Sequence, residues 1–236
     1  MARIMSIVGA ALLGAATLVV LFERPGAAGE PPVPAGRRGS ASLVPTALLL
    51  PKNYRGQPIS AAVRTVATWV VESADNGSRP FMVIDKIAAS VLVFTPDGSL
   101  IGAAPALLGS AHGDVSAPGI GTRPLAKIRP EERTTPAGRF VAVLGKNMRG
   151  ETILWIDYTA AIALHQVVTG NKRDNRLRRL SSATPLDNRI TYGCINVPAR
   201  FYTTVVIPAF TGSGGIVYIL PEAGSVREVL RMNVSE

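Results

Sequence analysis

The chain has 236 residues, 47% hydrophobic and 17% charged, enough apolar matter for one ordinary core and too little charge for a disordered chain. Lys and Arg total 25 against 16 Asp and Glu, a formal charge of +9. One cysteine and two histidines exclude an internal disulfide, a multi-cysteine zinc or iron–sulfur site and a three-histidine metal centre, and no G-x-G-x-x-G or Walker-type loop offers a nucleotide seat, so neither a metal nor a cofactor is expected.

In chain order, a basic start at Met1–Arg3 precedes Ile4–Phe22, nineteen residues without a charge. As a helix these would span roughly 28 Å, close to the hydrocarbon thickness of a bilayer. Residues 1–22 therefore read as an uncleaved signal anchor, as a cleaved signal peptide ending near Gly26–Gly29, or as a buried core helix. Either of the first two makes the rest of the chain exported, with the N-terminus associated with a membrane under the first. Residues 23–58 begin as a Pro/Gly/Ala-rich tether. Ile59–Ser73 carries apolar residues at helical spacing and stops at Asp75-Asn76-Gly77, giving a helical preface over 59–79.

After Pro80 the texture becomes that of strands. Phe81–Thr95 reads as strand-like, Pro96-Asp97-Gly98 as a turn and Ser99–Ala103 as a returning hairpin partner. Pro105–Pro136 reads as loop. Arg139–Leu144, Thr152–Asp157, Ala161–Val168 and Gly215–Leu220 read as short strands, with a short helix over Ala199–Ile207 and residues 223–236 as a tail. The fold class is mainly β: a sandwich or partly closed barrel with an N-terminal helix before it and a membrane-spanning or signal helix at the N-terminus.

Cys194 lies in Thr191-Tyr192-Gly193-Cys194-Ile195-Asn196. A lone thiol in an oxidising compartment is either inert and buried or kept for reactivity. The glycine before it allows a sharp turn in which backbone amides converge, as an oxyanion site requires. A thiol also needs a base, and His165, twenty-nine residues upstream at the end of an apolar strand, is the candidate. Between them, Gly170–Arg189 holds six Lys/Arg against two Asp and reads as a basic rim. In it Arg178 and Arg179 are candidate supporting or substrate contacts, beside the alternative of a merely solvated face. No aromatic platform interleaves these charges, so nucleic acid is not an expected partner.

Three features together resemble the L,D-transpeptidase catalytic domain, the YkuD-like family. Thr134-Thr135-Pro136-Ala137-Gly138-Arg139-Phe140 resembles its T-P-x-G-x-[FY] segment; a histidine stands upstream; and Thr191, Gly193, Cys194, Ile195 and Asn196 match its [ST]-H-G-C-[IV]-[NR] signature. Asp85-Lys86 with Val91–Phe94 resembles its opening hairpin. The similarity covers residues 80–222. Tyr192 departs from it, standing where the family has a second histidine, and the stretch from His165 to Cys194 is longer than usual.

The resemblance implies a barrel-like catalytic domain acting on peptidoglycan stem peptides, a donor tetrapeptide and an acceptor amine, through a thioester on Cys194. His165 is the implied base, oriented by a backbone carbonyl for which Gln166 is the candidate. Backbone amides of Tyr192, Gly193 and Cys194 are the implied oxyanion donors, with Thr191 and Asn196 in support. The alternatives are a hydrolytic or non-catalytic wall-binding protein on the same fold and, further off, a sortase-like transpeptidase. The sequence does not set an oligomeric state.

Overall fold

The computed structural model describes residues 53–54 and 57–232. The chain divides between Ser42 and Leu43, and every described residue lies in the second part. The expectations for residues 1–22 and for most of the tether lie outside the described residues. Among the described residues, no helix is long and apolar enough to cross a membrane.

A two-residue antiparallel pair, β1 (Asn53–Tyr54) with β2 (Gln57–Pro58), leads into α1 (Ala61–Ser73). The Ser60 hydroxyl caps α1 by accepting from the Val63 amide, and the helix ends where Ala74 turns left-handed at φ 53°. Its inward face is Val63, Val66, Ala67 and Val70, the spacing expected from the sequence.

The strand-like run after Pro80 is a hairpin. Strands β3 (Phe81–Asp85) and β4 (Ser90–Phe94) pair antiparallel about a turn at Lys86–Ala89. The Asp85 carboxylate accepts from the amides of Ile87 and Ala88, and Ala89 sits at φ 47°. The two ends of the turn are buried, Lys86 and Ala89 each 1% exposed, while Ile87 at its tip is exposed. β5 (Leu100–Pro105) follows as the expected partner of β4, and the two-residue β6 is Leu108–Gly109.

Residues 110–137 form an irregular loop with three 3-10 turns. Then come β7 (Gly138–Lys146), β8 (Thr152–Asp157) and β9 (Ile162–Gln166). A short helix α2 (Arg176–Leu180) interrupts the basic stretch before β10 (Arg189–Thr191) and β11 (Ile195–Val197). α3 (Ala199–Phe201) continues through a π turn (Tyr202–Val206) into α4 (Ile207–Phe210), longer than the short helix expected. β12 (Gly215–Ile219) and α5 (Val226–Leu230) complete the described chain. The last is a helix where a tail was expected, because Leu230 and Met232 are drawn into the core beside α1.

Eight strands form one sheet in the order β11-β9-β8-β7-β12-β3-β4-β5. Leu107, just past β5, exchanges backbone hydrogen bonds with Asn196 of β11 at 2.8 and 2.9 Å, so the two ends of the sheet nearly meet. The result is a mainly-β, nearly closed barrel-like sheet with few helices. Strands β3, β4 and β12 are buried along their whole length. Their alternate residues face different cores: Met82, Ile84, Val217 and Ile219 look inward, while Phe81, Val83, Ile216 and Tyr218 pack under α1. Tyr202, Val206 and Phe210 of the last helices plug the inner core. A strand covered on both faces shows no polar alternation, which is why the sequence reads there as a continuous apolar run.

Candidate active site

The ends of β9 and β11 bring the sequence-selected residues together. β11 runs parallel to β9 with Ile195 opposite Leu164 and Asn196 opposite His165. Cys194, one residue ahead of β11, therefore stands one strand across and two residues back from His165, roughly 8 Å between Cα atoms for standard sheet spacings.

The turn that delivers Cys194 is tightly fixed. Gly193 has φ +128°, and a Cβ there would lie 2.7 Å from the Thr134 carbonyl oxygen and 2.8 Å from the Ile162 side chain. Only glycine meets both demands. Thr191, 3% exposed, binds the turn from below: its hydroxyl accepts from the Gly193 amide at 3.1 Å and donates to the Cys194 carbonyl at 2.6 Å. The Thr135 hydroxyl donates to the Gly193 carbonyl at 2.8 Å and accepts from the Gly109 amide at 2.9 Å. The Thr134–Phe140 segment thus buttresses the cysteine turn.

That buttress is itself anchored by Lys86. Its buried ammonium donates to the Gly113 carbonyl (2.6 Å), the Asp114 carboxylate (2.6 Å) and the Thr135 carbonyl (2.8 Å). Burial pushes the Lys86 pKa down against the pull of Asp114. Glu222 completes the cluster, pairing with Arg189 and accepting from the Gly113 amide and from His112 Nδ1 at 2.9 and 3.0 Å. Arg189, counted in the basic rim, is therefore a nearly buried structural cation.

The imidazole of His165 is oriented from both nitrogens. Nδ1 lies 2.8 Å from the Gln166 carbonyl. A carbonyl only accepts, so Nδ1 carries the proton and Nε2 presents its lone pair. That lone pair accepts from the Asn196 side-chain amide at 3.2 Å. The Asn196 oxygen in turn accepts from Arg176 Nη1 at 2.8 Å, and Arg176 Nε donates to Asp174 at 2.9 Å. A relay thus runs from Asp174 through Arg176 and Asn196 to the ring.

The thiol points elsewhere. Cys194 Sγ donates to the Ala161 carbonyl at 3.6 Å. Among the described residues, then, thiol and ring are each hydrogen-bonded to other groups, not to each other. Burial pushes the Cys194 pKa up, partly opposed by the Ala163 amide. Burial also pulls His165 down; the Gln166 carbonyl opposes this, the Arg176 charge adds to it and Glu151 works against it. Both shifts disfavour charge, and so favour a neutral thiol beside a neutral imidazole over a thiolate–imidazolium couple.

Of the amides selected as oxyanion donors, that of Gly193 is occupied by the Thr191 hydroxyl. Those of Tyr192 and Cys194 have no acceptor among the described residues. The Tyr192 ring, 37% exposed, lies under the Arg133 guanidinium at 4.1 Å from its centroid, and so packs the loop. Arg178 and Arg179 differ in role. Arg179 donates to the main-chain carbonyls of Asp174 and Asp187 and braces its own loop. Arg178 is exposed and, with Lys172 and Arg176, lines a cavity of about 400 Å³.

Arg176 and Thr135 are the contributors that sequence reasoning passed over. Thr135 was visible as part of the T-T-P segment. Arg176 was one of six like charges, and only the β9–β11 register distinguishes it.

No family model matches the chain, and no curated protein does. Among solved structures it overlaps an L,D-transpeptidase from Xylanimonas cellulosilytica at 16% identity and TM-score 0.36, over 60% of each chain. It overlaps the L,D-transpeptidase LdtMt1, solved with imipenem, at 14% identity and TM-score 0.35, over 60% of this chain and 58% of that one. The catalytic domain of the E. faecium L,D-transpeptidase overlaps at 16% identity and TM-score 0.33, over 61% and 98%. The chain thus spans about 60% of the length of the first two. These overlaps are low in both identity and TM-score, so the chemistry rests on the side chains described above.

Proposed function

We propose that the chain is an exported, cysteine-dependent L,D-transpeptidase that acts on peptidoglycan stem peptides through a thioester. The observation that carries this reading is the Nδ1–H bond to Gln166. It leaves Nε2 as the ring's lone pair, on the strand next to the one that Cys194 precedes.

In the proposed reaction, His165 Nε2 leaves Asn196 and takes the thiol proton as Sγ attacks the carbonyl of the third stem residue. The free amides of Tyr192 and Cys194 receive the negative charge on oxygen. The intermediate collapses, the amide C–N bond breaks, and protonated His165 gives its proton to the departing D-alanine amine. A thioester remains on Cys194. An acceptor amine then attacks it and loses a proton to His165, which returns that proton to the sulfur. A neutral resting pair suits this sequence, because proton transfer accompanies attack instead of preceding it.

One observation favours the rival of a wall-binding protein without catalysis: the base is capped by Asn196 in the resting state. Acylation separates the two. Incubation with a carbapenem or a donor tetrapeptide should give a covalent mass gain that disappears in Cys194→Ala. His165→Ala should slow it by about a hundredfold or more, the usual contribution of a positioned base. No adduct on the intact protein would leave the binding role.

A further inference from the structure

The two free amides of the cysteine turn belong to peptide groups whose carbonyls are both taken. The Tyr192 N–H shares its peptide with the Thr191 carbonyl, which accepts from the Ser110 amide at 2.9 Å. The Cys194 N–H shares its peptide with the Gly193 carbonyl, which accepts from the Thr135 hydroxyl at 2.8 Å. Behind that hydroxyl stands the Gly109 amide, which donates to it at 2.9 Å. Gly109 and Ser110 are adjacent, so the end of β6 backs both peptides, one directly and one through Thr135.

Thr135 is held for this from several sides. It is 0% exposed, and its own carbonyl accepts from the Lys86 ammonium at 2.8 Å. Its segment is wedged between two glycines. A Cβ on Gly109 would lie 2.2 Å from the Arg133 carbonyl oxygen, and one on Gly193 would lie 2.7 Å from that of Thr134. The hydroxyl has a single hydrogen to give. The Gly109 N–H only donates and the Gly193 carbonyl only accepts, so that hydrogen points at Gly193. A bond accepted by a carbonyl draws charge through the peptide and makes its N–H a stronger donor. It also fixes the peptide plane, and with it the direction of the N–H.

We infer that Thr135 is a positioning residue of the reaction: its hydroxyl aims and polarises the Cys194 amide toward the oxygen that becomes negative when Sγ attacks. The inference rests on the transpeptidase reading and deepens it, by giving a buried side chain of the T-T-P segment a share in the rate. Thr135 makes no hydrogen bond to Cys194 Sγ or to the His165 ring. Its hydroxyl therefore acts on the oxyanion and not on the thiol or the base.

Three variants of the full-length chain test this. Thr135→Val keeps the shape and removes both bonds. Thr135→Ser keeps both bonds and loses a methyl group. Thr135→Ala leaves room for a water in place of the hydroxyl and is the milder removal. Each chain is acylated with a carbapenem and, separately, alkylated with iodoacetamide, with intact mass following both. Displacement of iodide by the sulfur builds no charge on a carbonyl oxygen, so alkylation reads the thiol without the amide. In Thr135→Val the saturating first-order acylation constant should fall about tenfold to a hundredfold at an unchanged half-saturating concentration, with alkylation within about twofold of the parent. Serine should restore acylation to within about threefold, and alanine should lie between. Parent-like acylation in Thr135→Val, or in Thr135→Ala if the valine chain does not fold, would overturn the inference and leave the transpeptidase reading in place. An equal fall in alkylation, or no rescue by serine, would do the same. A parent chain that is alkylated but never acylated would remove that reading, and the inference with it.

Discussion

Asn196→Asp is the most informative single change, because it alters a donor to an acceptor with almost no change in shape. Asn196 is 1% exposed, and its amide nitrogen lies 3.2 Å from His165 Nε2. A carboxylate oxygen there would attract an imidazolium by about 5 kcal/mol at an effective dielectric constant of about 20. Arg176, 2.8 Å from the other oxygen, offsets part of this. The net shift should fall in the range typical of a contacting opposite charge, about 1–3 pH units upward, or about 1.4–4 kcal/mol. His165 would move upward from its lowered position, and Nε2 would hold a proton over a wider pH range. The chain has two histidines, so an NMR titration of the imidazole signals is readable, with His112→Gln assigning the exposed one. Acylation should fall on the acid side relative to the parent and recover as pH rises. A His165 in Asn196→Asp that titrates at or below its parent value would refute this account of the relay.

Gly193→Ala forces a Cβ against the Thr134 carbonyl and Ile162 at a positive φ, so it should cost about 2–4 kcal/mol in urea unfolding; a loss under about 0.5 would contradict the turn geometry. Lys86→Met strands Asp114 and two carbonyls and should cost about 3–5 kcal/mol, with a parent-like midpoint as the contrary result. The raised Cys194 pKa contributes stability that is complete below the unfolded thiol value and is lost as pH rises through the folded one. Cys194→Ala should therefore flatten the decline in urea midpoint above about pH 8.5. For His165 the sign reverses: its lowered pKa contributes stability that is complete above about pH 6.5 and is lost as pH falls through the folded value, a slope that His165→Gln should remove.

What the sequence disclosed follows from what each interaction depends on. The α1 stripe, the β4–β5 turn and the glycine before Cys194 are set by neighbouring residues, and periodicity and turn chemistry expose them. The β3–β4 turn escaped because its lysine is buried by Gly113, Asp114 and Thr135, more than twenty-five residues away. Strands β10 and β11, three residues each, are too short to carry a period and exist through their parallel partners. His165 and Cys194 were legible as residue types suited to one chemistry. That Asn196 caps the base was not, since the contact depends on the register of β11 against β9. The same holds for the separation of Arg178 from Arg179: adjacent in sequence, one faces a cavity and the other ties down its own loop.

The most direct test of the whole account is the mass of the chain after brief exposure to a donor tetrapeptide, followed by mapping of the modified residue. The expected result is a gain equal to the peptide less its terminal D-alanine, carried by Cys194 and released by an added amine. An unmodified sulfur, or an acyl group carried by some other side chain, would contradict it.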